Sequence, residues 1–361
     1  MRKRRMVAAM AIDPCLNLEM CRDTNQHGAV VEDIPGLIRV YKDGHADRPQ
    51  IVPCVSTALA LELGVTSRDI VIDKFTNIWA RFYVPINFHN TKLPLLVYFH
   101  GGGFCVGSAA WSCYHMFLAR LANRAGCIIM SINYRLAPEN PLPAAYEDGF
   151  KALIWLKHQA QSGAMDWWSR QCNFSNIFIA GDSAGANIAH NVTTRIGSLS
   201  ERELAALKPL NLKGTILIQP FFGGEARTCS EKYMLQPAKS SALTLAASDT
   251  YWRLALPCGT NRDHQWCNPV AKGSINLAEL RLCPMMVCVS EMDILKDRNL
   301  EFCGALDRAG KKVEHVVYKG VGHAFQVLSK SQLSQTRTHE MMSHIKAFIC
   351  HRSPDLSKVK H

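Results

Sequence analysis

The segment from Ile177 to His190, IFIAGDSAGANIAH, restricts the fold of this chain more than any other. It opens as an apolar run of strand type, turns through two glycines and continues with small residues in a helical pattern. Gly181-x-Ser183-x-Gly185 has the spacing of a nucleophile elbow, in which a serine is carried on a sharp strand-to-helix turn. Neither flanking position tolerates a bulky side chain when the helix packs so close to the strand. The turn lifts the Ser183 hydroxyl clear of the backbone and sets the positive end of a helix beside it. The competing reading is a tight turn whose serine only caps the following helix.

Short apolar runs bounded by Gly, Pro or polar residues recur on both sides of this segment. They predict strands at 69–73, 79–84, 95–100, 127–132, 214–219, 284–290 and 313–318, besides the one that begins at Ile177. Helical patterns around 117–121, 146–158 and 340–349 alternate with the later runs. This alternation calls for an α/β fold, an eight-stranded and mostly parallel sheet with helices on both faces. Residues 221–270 interrupt the pattern with helical and aromatic material, as an insertion over the functional edge of the sheet would. The chain divides into a flexible extension over 1–30, a single domain over 31–350 and a basic tail over 351–361.

A net charge of +11 raises the question of nucleic acid. Much of it sits at the ends, in Arg2 to Arg5 and in Arg352, Lys358 and Lys360, and no basic stripe is interleaved with aromatics. A nucleic-acid partner is therefore not expected. No run approaches the ~18 apolar residues of a membrane span. The apolar stretch after the basic N-terminus is short for a secretory signal. A cytoplasmic location is expected, with nuclear import through the basic N-terminus as the alternative. The 14 cysteines form no C-x-x-C pair and are scattered among apolar neighbours, so they read as reduced buried thiols rather than metal ligands or disulfides.

Chemistry concentrates at strand ends. His100-Gly101-Gly102-Gly103-Phe104 follows the 95–100 run directly. Three glycines let the backbone approach a substrate and turn its N–H groups inward. In lipases and esterases such a run forms an oxyanion hole together with the N–H after the nucleophile. The donors would be Gly102, Gly103 and Ala184, with His100 bracing the loop. A serine also needs a base, and the base needs an orienting carboxylate, in the chain order Ser, acid, His. Among the later histidines, His323 stands in the glycine-flanked Gly320-Val-Gly-His-Ala-Phe325 just past the last strand. His315 lies within that strand. Asp293 follows the 284–290 run closely enough to reach the His323 loop. Asp297 would begin the next helix, and Glu291 is the weaker rival. Asp182 and Asp148 read as organisers of turns. Phe104, Trp111, Phe221 and Trp252 are the expected substrate-binding residues.

With these pieces the chain resembles the plant carboxylesterases of the hormone-sensitive-lipase-like branch of α/β hydrolases. The matching blocks are His100 to Ser108, Asn133-Tyr-Arg-Leu-Ala-Pro-Glu139, Pro143 to Asp148, Gly181 to Gly185, Asp293-x-Leu295-x-Asp297 and Gly322-His-Ala-Phe325. They cover about 30–350 in order. The resemblance implies a helical cap over the pocket, built from about 31–65 and 221–265. It also implies a serine esterase for small-molecule esters that needs no metal or organic cofactor; it names no protein partner. The same branch contains hormone receptors that lack the catalytic histidine, and dehydratases with altered oxyanion or nucleophile residues. A receptor or a lyase on the same scaffold is therefore the alternative, against which stand Ser183, Asp293, His323 and the glycine triplet together. One departure, of little weight, is Ala186, where the family usually has a second glycine; alanine is tolerable at a helix start, though its methyl could crowd the oxyanion hole slightly.

Overall fold

A computed structural model of the chain describes residues 27–88, 92–163, 166–234 and 241–353. Most of the expected N-terminal extension and basic tail lies outside them. The described chain begins with a small antiparallel sheet, β1 (Val30–Ile34), β2 (Ile38–Tyr41) and β3 (Ala46–Asp47). The main sheet contains β4 (Val65–Asp73), β5 (Ile78–Pro85), β6 (Leu93–Phe99), β7 (Ile128–Asn133), β8 (Cys172–Asp182), β9 (Leu212–Ile218), β10 (Met285–Ser290) and β11 (Val313–Tyr318). Its order is β11-β10-β9-β8-β6-β7-β5-β4. Within it only β5 runs against the others, pairing antiparallel with β4 and β7. Each strand expected from the apolar runs is present, extended by a few residues where polar positions continue the ladder.

The central strands are buried on both faces, so they read as continuous apolar runs. In β8, Ile177 and Ile179 enter one core, and Phe178 and Ala180 enter the other. In β6 the same alternation separates Leu95, Val97 and Phe99 from Leu96 and Tyr98. One face is covered by α1 (Ser112–Ala125) and, at the C-terminus, α9 (Gln332–His351). The other is covered by α2 (Ala144–Gln161), α3 (Ala184–Ser198) and α7 (Lys296–Arg308). Helix α1 ends where Gly126 adopts φ +62°, a left-handed stop that glycine makes without strain. A short helix α4 (Glu201–Ala206) starts from a Ser200–Glu203 capping box.

The insertion after β9 supplies α5 (Cys229–Tyr233) and α6 (Leu245–Ala255) over the C-terminal ends of the strands. The N-terminal contribution to this cover is the β1–β3 sheet and an extended strap, so helix covers the pocket only from the second segment. Arg253 of α6 pairs with Glu32 of β1 at 2.7 Å, and Arg48 of the strap reaches Glu139 and the carbonyls of Cys105 and Ala137, which ties this segment to the main domain. The small helix α8 (Phe325–Leu328) completes the same end of the molecule. No helix among the described residues is long and apolar enough to cross a membrane. The cysteines among them are all free, and Cys105, Cys127, Cys172, Cys267, Cys288 and Cys303 are buried.

Candidate active site

Strand β8 delivers its last residue, Asp182, into the sheet's C-terminal edge, and the chain reverses at Ser183 with φ +53° and ψ −121°. This strained conformation is imposed by packing. A Cβ on Gly181 would lie 2.3 Å from the Gly185 carbonyl, and one on Gly185 would lie 2.0 Å from the Phe99 oxygen. Ser183 makes no side-chain cap to α3. Its Oγ instead lies 2.8 Å from His323 Nε2, and His323 Nδ1 lies 2.7 Å from Asp293 Oδ2. The helix-cap reading of the serine is thereby set aside. Asp293 is fully buried, and its second oxygen accepts from Leu295 N–H at 3.1 Å.

The other acidic and basic candidates are placed elsewhere. Asp297 accepts from Ser230 N–H at 2.7 Å and anchors the start of α5. Glu291 accepts from Gly320 N–H at 2.9 Å. His315 is exposed on β11. His190 is buried in α3 between Phe222 and Phe302, and burial lowers its pKa to about 4. Asp148 is buried under Arg135, from which it accepts main-chain and guanidinium hydrogen bonds.

The glycine triplet folds into a loop against this serine. Gly102 and Gly103 adopt φ +116° and +58° and line the same cavity as Ser183 and His323. Ala184 opens α3, where a helix leaves its first N–H without an intrahelical acceptor. Among the described residues, none of these three N–H groups finds an acceptor outside its own helix or strand. His100 braces the loop. Its ring stacks on Tyr134 at 4.4 Å, its Nδ1 lies 2.8 Å from the Gly101 carbonyl, and burial holds its pKa down at about 4. Ala186 is buried in the core and off the cavity wall.

Asp182 does more than shape the turn. Its carboxylate accepts from Tyr98 OH at 2.8 Å, Tyr114 OH at 2.9 Å and Gly101 N–H at 3.1 Å. It thus ties the elbow to the glycine loop. Burial raises its pKa to about 6 against the opposing effect of those hydrogen bonds and of nearby His323. Tyr98 and Tyr114 are themselves pushed up by burial.

The cavity has a volume of about 260 Å³. Trp111 and Phe221 stand on its wall, together with Val106, Leu243, Tyr251 and Leu328. Phe104 and Trp252 do not. Both are buried behind the wall, where Trp252 stacks on Phe221 at 4.7 Å and Phe104 packs on Trp252 at 5.5 Å. Their sequence neighbourhood places them near the site, but which ring faces the cavity is set by packing between segments. Leu37 and Ile51 of the N-terminal segment and Tyr251 of α6 were not singled out from sequence. Tyr251 was readable as the other aromatic of the Tyr251-Trp252 pair, a step of about 100° round the helix from its neighbour. Leu37 and Ile51 carry no local signal.

The matching family model, described as alpha/beta hydrolase fold, spans residues 96–327. The chain is 53% identical to the protein named probable carboxylesterase 6 from Arabidopsis thaliana, over 92% of this chain and 95% of that protein. It is 37% identical to 2-hydroxyisoflavanone dehydratase from Glycyrrhiza echinata, over 82% and 89%. Among solved structures, a hyperthermophilic esterase from the archaeon Pyrobaculum calidifontis superposes with a TM-score of 0.62 at 26% identity, covering 78% of this chain and 83% of that one.

Proposed function

Since the chain belongs to the alpha/beta hydrolase fold family and is a carboxylic-ester hydrolase, we propose that Ser183, His323 and Asp293 perform its reaction. The observation that carries this assignment is the continuous relay from Ser183 Oγ to His323 Nε2 at 2.8 Å and from Nδ1 to a buried carboxylate at 2.7 Å. Ser183 Oγ attacks the ester carbonyl while Nε2 takes its proton. Gly102, Gly103 and Ala184 N–H groups receive the oxyanion, and their alignment before reaction avoids reorganisation at the transition state. His323 returns the proton to the departing alcohol, leaving an acyl group on Ser183. A water then gives one proton to Nε2 as its oxygen bonds to the acyl carbon; the bond from that carbon to Oγ breaks, Nε2 returns the proton to Oγ, and the acid leaves with the serine regenerated. Asp293 fixes the imidazole tautomer and faces the charge that develops on it.

The substrate is a small ester whose reacting end fits beside Trp111, Phe221 and Tyr251. The receptor and lyase readings have less support, because neither requires a serine held on a strained turn with its hydroxyl on the base. Hydrolysis of short-chain p-nitrophenyl esters by wild type and Ser183→Ala, with intact mass recorded during turnover, tests the assignment. Activity and a transient acyl adduct are expected in wild type, and both are expected to vanish in the variant. Turnover that survives Ser183→Ala would refute it.

A further inference from the structure

Gln219 is the first residue beyond β9. Its backbone sits at φ +48°, a region that a non-glycine residue occupies only where its surroundings impose it. The side chain is fully buried, and both of its ends are used. Oε1 accepts from the N–H of Ala324, the residue after His323, at 2.8 Å. Nε2 donates to Ser290 Oγ, at the end of the strand that leads to Asp293, at 2.6 Å. The main chain on either side of Gln219 holds the nucleophile. The Ile218 carbonyl accepts from Ser183 N–H at 2.8 Å, and Phe221 N–H donates to the Ser183 carbonyl at 3.0 Å.

One short turn therefore contacts the backbone at Ser183, the residue next to His323 and the strand end that carries Asp293. A separate backbone bond, from Met292 N–H to the Val321 carbonyl at 3.0 Å, joins the acid and base turns to each other but not to the elbow. Ala324 is itself left-handed at φ +57° and stands at the N-cap of α8, so its N–H has no acceptor within that helix and is taken by Gln219. Gln219 is absent from the cavity wall and touches no reacting atom. We propose that Gln219 is a positioning residue for ester hydrolysis, setting the His323 turn against the elbow so that Nε2 stays within reach of Ser183 Oγ. The proposal rests on the catalytic assignment above.

The test compares wild type, Gln219→Met, Ser290→Ala and the double variant on p-nitrophenyl butyrate. Each is titrated to completion with a reactive p-nitrophenyl phosphonate, so that kcat is expressed per competent serine. Methionine keeps the volume and removes both hydrogen bonds. A misplacement near 1 Å costs on the order of 100-fold in rate, so kcat per titrated site should fall about 10- to 100-fold with KM within about twofold. Ser290→Ala frees only one end and should lower kcat per site by less, and the double variant should match Gln219→Met. A merely structural role lowers the titratable fraction and leaves kcat per site alone; that result overturns the proposal, as do effects that multiply in the double variant. If Gln219→Met does not fold, an unchanged kcat per site in Ser290→Ala overturns it instead. A wild type that hydrolyses nothing and binds no phosphonate would overturn the catalytic assignment and this proposal with it, whereas failure of Gln219 alone occurs on a wild type that titrates.

Discussion

Replacing Gly103 by alanine tests the oxyanion assignment through a clash that can be worked out in advance. A Cβ at this position would lie 2.3 Å from Cγ of Tyr251 and 2.5 Å from both Cδ atoms. Carbon atoms reach favourable contact at about 3.5 Å, so roughly 1.2 Å of movement has to be found. Tyr251 is buried on α6, where it meets Phe221 edge-on at 6.4 Å, and it has little room to retreat. The glycine loop must then yield, and its N–H leaves the oxyanion position. Alanine at φ +58° adds about 1–2 kcal/mol of backbone strain, which lowers stability without touching the chemistry. Loss of one oxyanion donor lowers kcat by about 10²–10³. Gly103→Ala is therefore expected to retain its fold, with a modestly lower midpoint in urea, and to lose about 100-fold in kcat on p-nitrophenyl acetate. KM for so small a substrate should change only a few-fold. Adding Tyr251→Ala removes the ring and should restore a large part of kcat. A Gly103→Ala enzyme with wild-type kcat would show that this N–H does not hold the oxyanion. A double variant no faster than Gly103→Ala would show that the ring does not drive the displacement.

Three further substitutions address the groups around the triad. Burial raises the Asp182 carboxyl from 3.8 to about 6, so between those values the folded state binds its proton more tightly than the unfolded state. Stability contributed by this group is therefore greatest at low pH, falls as pH rises from about 4 to about 6, and is flat above. The full loss is about 3 kcal/mol at most. Asp182→Asn should remove that slope, so the wild-type minus variant difference in urea midpoint should decline across this window; a constant difference would refute the assignment. Trp252 and Trp111 should behave oppositely. Trp252→Ala opens a hole behind Phe221 and is expected to cost about 3–5 kcal/mol in denaturant unfolding with little change in KM. Trp111→Ala, on the wall, is expected to raise KM several-fold before stability suffers. The reverse pattern would exchange their roles.

The parts legible in the sequence were those with a local cause. A strand buried on both faces must be an apolar run, and 177–180 or 284–290 can be nothing else inside a sheet of this kind. Gly181, Gly185 and the 101–103 triplet are glycine because any side chain there meets backbone or a buried neighbour, so the turns announce themselves. Asp293 and His323 were readable because each follows the end of a strand, where side chains gather at one edge of the sheet. Rings gave no such signal. Phe104 and Trp252 share the composition of a binding wall, and only the packing of α6 against Phe221 turns them inward behind it.

Sequence alone thus determined the strands, the elbow and the glycine loop, since each depends on residues within a few positions of one another, and it offered Asp293 and His323 because each follows the end of its own strand. Tertiary structure decided what lies between those pieces. Gln219 bridges Ala324 and Ser290, Asp182 reaches Tyr98 and Tyr114, and Leu37 and Ile51 come to the cavity from the N-terminal segment. These contacts join segments distant in the chain, and the partner of a buried polar group or the ring that faces a cavity is fixed only once those segments have packed. A glutamine at the end of an apolar run looks like any polar stop. Its two hydrogen bonds exist only because β9, β10 and the His323 turn end side by side.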